Sequence, residues 1–68
     1  TSFQEVFDYL KDHRQYDGLL IFTDGYAPEP SVDFALRTKV LWICRSEQEY
    51  NVHHEWMEKT GRACWIEF

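Results

Sequence analysis

Positive charge is scarce in this chain. Lys and Arg number seven against twelve Asp and Glu, a formal net charge of -5 over 68 residues. The acidic residues are scattered rather than clustered. Nucleic acids and anionic membranes both recruit proteins through a basic patch, so neither is an expected partner. No apolar run approaches the ~20 residues that span a bilayer, and no signal-peptide pattern is visible. Internal repeats and low-complexity tracts are absent. The two cysteines, Cys44 and Cys64, form no CxxC pair, and each lies in an apolar strand-like run. Buried free thiols are the expected state, with a disulfide between neighbouring strands as the alternative. Free thiols fit a reducing, cytoplasmic setting. The chain contains no HExxH and no Gly-x-Ser-x-Gly, and neither cysteine has an obvious histidine partner, so zinc-protease and nucleophile-elbow schemes lack their motifs.

Aromatic residues, by contrast, are abundant: five Phe, four Tyr and three Trp. One domain at most fits in this length, and such a domain buries only a modest fraction of its surface. Twelve aromatics are more than a small sheet hides easily. Some of this surface is therefore expected against a partner chain or further sequence, and a homodimer or swapped assembly is the expected state of the isolated chain.

The most informative run is Asp17-Gly18-Leu19-Leu20-Ile21-Phe22-Thr23-Asp24-Gly25-Tyr26. A turn leads into four apolar residues that stop at a carboxylate and a glycine. Continuous apolar runs of this kind predict a strand buried on both faces, as in parallel sheets. Ligands of open parallel sheets bind beyond the carboxyl ends of the strands. Asp24 sits at such an end, placed to hold a cation or a cation-bound ligand. The competing reading is a turn residue capping local amides.

Phe3, Val6, Phe7 and Leu10 recur at helical spacing, and Ser2 with Glu5 forms a capping-box pattern, so a helix is predicted from Ser2 to about Asp12. Leu19 to Thr23 is the first strand. Gly25 to about Arg37, with Pro28 and Pro30, is a long connection in which Ser31 caps at most a short turn. Lys39 to Cys44 is a second buried strand. Ser46 and Glu49 match a second capping box, which starts a helix at Glu47; Asn51 is an alternative cap for a shorter helix. Gly61 is the stop signal, and Arg62 to Phe68 the third strand. Helix–strand alternation predicts an α/β fold with about three mainly parallel strands and one or two helices. Parallel sheets are normally covered on both faces. The expectation is therefore a partial doubly wound, three-layer domain, the second half of a larger Rossmann-like unit.

The run Tyr16 to Tyr26 with Pro28, followed by Val40-Leu41-Trp42-Ile43, resembles the C-terminal von Willebrand factor A-like domain of bacterial metallopeptidase-like proteins. In that family Gly-Gly-Thr-(Asp or Ser)-Phe precedes the helix, and Thr1-Ser2-Phe3 is similar to its end. The resemblance implies a metal-ion-dependent adhesion site for Mg²⁺ or a similar divalent cation, to which Thr1 and Asp24 contribute. The Asp-x-Ser-x-Ser segment of such sites has no counterpart in this chain. A non-catalytic protein-interaction or regulatory module follows, with a partner's carboxylate completing the coordination and an AAA-type ATPase as one implied partner.

Two other readings compete. His53-His54-Glu55 suggests a segment of a catalytic zinc metallopeptidase. Adjacent histidines, however, diverge by about 100° on a helix, whereas zinc ligands need i, i+3 or i, i+4 spacing. Surface histidines are the simpler reading. The third possibility is a structural remnant with no metal site. A haloacid-dehalogenase-type phosphatase fails on spacing, since its second Asp is missing two residues after Asp24. Trp42, Trp56 and Trp65 are expected in the core or an interface.

Overall fold

The chain runs helix, strand, strand, helix, strand in a computed structural model that describes residues 3–24 and 28–67. The first helix, α1, spans Phe3–Asp12. Its apolar stripe turns inward, with Phe7 and Leu10 buried. The helix ends where the His13 ring donates from Nδ1 to the Tyr9 carbonyl (2.9 Å) and stacks on the Tyr9 ring at 3.8 Å between centroids. The expected cap, Ser2, lies outside the described residues.

Strands β1 (Gly18–Thr23), β2 (Lys39–Cys44) and β3 (Gly61–Trp65) form one sheet in the order β1-β2-β3. Both pairings are parallel, as expected from the alternation of elements. Leu20 pairs with Leu41, Phe22 with Ile43, Trp42 with Ala63 and Ile43 with Cys64. Side chains alternate along a strand. One face therefore carries Leu19, Ile21, Val40, Trp42, Cys44 and Ala63, which all join the core. The other carries Leu20, Phe22, Leu41, Ile43 and Cys64.

That second face departs from expectation. The β1 run is not buried on both sides: Leu20 is 61% and Phe22 64% exposed. Phe7 and Leu10 from α1, Met57 and Trp56 from the second helix, and Val32 and Leu36 from the connection all pack on one face. The described residues make two layers rather than three. Strand β2 keeps the expected burial because it is central, and Ile43 is only 6% exposed between its flanking strands.

The second helix, α2, spans Glu47–Met57, so Ser46 rather than Asn51 is its cap. The Glu49 amide donates to Ser46 Oγ at 3.2 Å. Glu49 Oε1 accepts the Arg45 amide (3.1 Å) rather than that of Ser46, closing the box one residue earlier. Gly61, expected as a helix stop, is instead the first residue of β3. Here the strands approach closely: a methyl at this position would overlap the Val40 carbonyl and lie 2.9 Å from Val40 Cβ. The third strand ends at Trp65, short of the expected Phe68, which lies outside the described residues.

Trp42 is the centre of the core. It is fully buried. Phe3 meets its ring edge-on at 4.9 Å, Phe7 stacks at 5.9 Å and Trp56 meets it edge-on at 5.2 Å. Its indole N–H donates to Thr60 Oγ1 (3.0 Å), and that hydroxyl donates to the Met57 carbonyl (3.1 Å).

No helix or strand occurs in residues 28–38. The connection is instead clamped from its flanks. The Gln4 carboxamide accepts the Ser31 amide (2.7 Å) and donates to the Ser31 carbonyl (3.0 Å). Ser31 is thus held through its backbone rather than acting as a turn cap. Arg14 donates to the Ala35 carbonyl (3.0 Å). Buried Thr38 donates to the Tyr16 carbonyl (2.9 Å), and the Lys39 amide to that of Asp17 (2.9 Å), fixing β2 beside β1.

Replacement Trp42→Ala removes the common neighbour of α1 and α2, at a cost of about 3–5 kcal/mol for a buried Trp. Small domains have little stability to lose. Urea titration followed by circular dichroism is expected to show no folding baseline for this variant. Gly61→Ala is expected to cost about 1–3 kcal/mol through overpacking, read as a lower urea midpoint with an unchanged slope.

Candidate functional site

The carboxyl edge of the sheet carries the polar groups that the parallel topology brings together. Asp24 directly follows β1, and Arg45 directly follows β2. Thr23 pairs with Cys44, so Asp24 and Arg45 are the next positions across the two strands. Phe22, Thr23, Asp24 and Arg45 line an open groove of about 460 Å³. Asp24 is exposed. The Arg45 side chain is 64% exposed and reaches Glu49 Oε2 at 3.3 Å. Surface pairs of this kind add at most about 1 kcal/mol. Their effect here is positional: Glu49 caps α2 and holds the guanidinium over the edge.

Asp24 is therefore where the sequence places it. Its proposed co-ligand, Thr1, lies outside the described residues, as do Gly25 and Tyr26. Magnesium takes near-octahedral oxygen coordination. The groove offers one carboxylate and the Thr23 hydroxyl, with a guanidinium beside them. These residues do not by themselves fit a magnesium ion. Among the described residues no group of three or more His, Cys, Asp or Glu could hold a metal.

The histidine pair is drawn apart by its helix. His53 Nδ1 accepts the Trp56 indole N–H at 3.2 Å, which places the imidazole proton on Nε2. His54 stacks on Tyr50 at 4.8 Å and pairs through Nδ1 with Glu58 Oε1 at 2.7 Å. The two rings serve different contacts of α2 and share no ligand geometry.

The cysteines also separate. Cys44 is buried on the helix face, its thiol 3.8 Å from Met57 Sδ. Cys64 is half-buried on the opposite face, because it pairs with Ile43 rather than with Cys44. Opposite faces exclude a disulfide within the chain, and both thiols are free. Burial pushes the Cys44 thiol up, and the charge of Glu49 and the Cys64 thiol push the same way.

Arg45 was not singled out by the sequence. Its signal was available, since it ends the second apolar run as Asp24 ends the first. The uncovered sheet face had no such signal, because Leu19 to Phe22 are uniformly apolar.

No protein-family model, curated protein or solved structure matches this chain.

Maleimide at neutral pH is expected to modify Cys64 first and Cys44 only on unfolding, read by peptide mass mapping; equal rates would contradict the two-face placement. The raised Cys44 thiol also sets a pH dependence. Its protonated state is favoured by the fold, so its stabilising contribution is complete below the usual thiol range of about 8.5. It is lost as pH rises through the higher folded value. Denaturation midpoints are expected to fall above that range, and less so in Cys44→Ala.

Proposed function

We propose that this chain is a non-catalytic protein-interaction or regulatory module, similar to the C-terminal part of the von Willebrand factor A-like domain of bacterial metallopeptidase-like proteins. One observation carries the reading: a wholly parallel sheet presents Asp24 at its carboxyl edge, where open α/β sheets bind ligands. In this reading Asp24, with Thr1, supplies oxygen donors to a contact made through Mg²⁺ or a similar cation. The remaining donors come from an Asp-x-Ser-x-Ser segment and from a carboxylate of the partner protein, for which an AAA-type ATPase is one candidate. The setting is cytoplasmic, in keeping with two free thiols.

Isolated from those further donors, the groove has one carboxylate opposed by Arg45. Its cation affinity is expected to be weak, in the millimolar range. Manganese binding followed by electron paramagnetic resonance tests this. Asp24→Ala is expected to abolish the weak binding, and Arg45→Ala to strengthen it several-fold by removing a like charge. Manganese binding that survives Asp24→Ala removes the role of Asp24, and no binding at all favours a structural remnant. Stoichiometric zinc binding lost in His54→Ala would replace the reading with that of a metallopeptidase segment.

A further inference from the structure

An open groove of about 740 Å³ wraps the amino end of the sheet. Arg37, Lys39 and Arg62 line it, all three exposed. None of the chain's twelve Asp and Glu residues is among those that line it. The other four cations are committed elsewhere. Lys11 lies over the Phe34 ring, Arg14 donates to the Ala35 carbonyl, Arg45 pairs with Glu49 and Lys59 with Glu29. Among the described residues, Arg37, Lys39 and Arg62 have neither an ion pair nor a side-chain hydrogen bond. Like charges grouped without a counter-charge repel one another, and a bound anion relieves that repulsion.

Strand register sets the spacing of the charges. Lys39 pairs with Gly18, and Leu41, two residues on, pairs with both Leu20 and Arg62. A strand separation of ~4.8 Å and a rise of ~3.3 Å per residue put Lys39 and Arg62 about 8 Å apart on the backbone. Arg37, two residues before Lys39, is at most about 7 Å from it. Gly18 leaves a gap beside Lys39, where an added Cβ would meet only the Lys39 carbonyl, at 3.7 Å. Leu20 is 61% exposed and Leu41 half-buried. They give the groove an apolar floor in the same row as Arg62.

The groove is thus complementary to negative charges repeated at about 7–8 Å beside an apolar group. Alternate residues of an extended peptide lie ~6.7 Å apart. A single small anion matches the charge but leaves Leu20 and Leu41 unused. A nucleic acid or anionic membrane extends past the groove, where four cations face twelve carboxylates and the net effect is repulsion. We infer that this groove binds a short, extended, acidic segment of a partner protein. Its carboxylates meet Arg37, Lys39 and Arg62, and an apolar side chain between them rests on Leu20 and Leu41. The contact lies at the end of the sheet opposite Asp24, needs no cation and does not depend on the metal-linked reading.

The test is an amide NMR titration of the whole chain, in EDTA, with a short end-capped peptide of alternating Glu and Leu. Saturable shifts are expected at the Gly18, Lys39, Leu41 and Arg62 amides. A counterpart with Gln for Glu is expected to bind about tenfold more weakly, as three surface charge pairs provide. The net charge of -5 favours the Gln peptide everywhere outside the groove, so a preference for Glu reports the groove itself. Lys39→Gln combined with Arg62→Gln is expected to weaken binding of the Glu peptide about fivefold. Gly18→Val, which fills the gap without altering charge, is expected to weaken both peptides. Asp24→Ala is expected to leave the titration unchanged, which separates this inference from the cation reading. All of these positions are exposed, and circular dichroism checks that each variant folds. The inference is overturned if the Glu peptide gives no saturable shift, if the Gln counterpart binds equally, or if the charge variant binds undiminished. It is equally overturned if inorganic phosphate at the same concentration displaces the peptide, which would make the groove a small-anion site.

Discussion

The packing around Trp42 is the constraint on which the other elements depend. Its ring meets Phe3 and Phe7 of α1 and Trp56 of α2, while its own strand is the middle of the sheet. Both helices pack on it, and Phe3 of α1 also meets Trp56 of α2 at 6.0 Å. The indole N–H adds a polar condition, since a buried donor must find an acceptor. Thr60 supplies one and passes the bond to the last turn of α2. This fixes where α2 ends, and hence where Gly61 begins β3 against Val40. Aromatic packing, helix length and strand register are thus one linked condition.

That arrangement also makes the molecule one-sided. Large aromatic side chains gathered on one face of β2 draw both helices and the 28–38 connection to the same side. The connection is held from outside at two points, by Gln4 at Ser31 and by Arg14 at Ala35. The opposite face keeps Leu20 and Phe22 in solvent. The polar carboxyl edge around Asp24 and Arg45 lies at the end of the sheet, apart from this core.

Much of the fold was legible in residue order. The stripe of Phe3, Val6, Phe7 and Leu10 named α1. Two apolar runs named β1 and β2, and Ser46 with Glu49 was one of two candidate starts of α2, Asn51 being the other. The position of Asp24 at a strand's carboxyl end was also readable, because the run stops there. The partner of that carboxylate was not. Arg45 lies 21 positions along the chain, and only parallel register brings it beside Asp24. That His53 and His54 diverge was readable from spacing alone, since neighbouring residues on a helix face different ways.

The sequence alone determined local matters: which segments are helical or extended, and the two candidate caps of α2, Ser46 and Asn51. These follow from periodicity and short-range hydrogen bonding, which act over a few residues. Tertiary structure decided which face of each strand is covered, that Cys44 and Cys64 stand on opposite sides, and that Gly61 is needed for close strand approach. A uniformly apolar run such as Leu19 to Phe22 has the same pattern whether one face or two are buried. Only the placement of the helices distinguishes them, and that placement follows from long-range packing on Trp42.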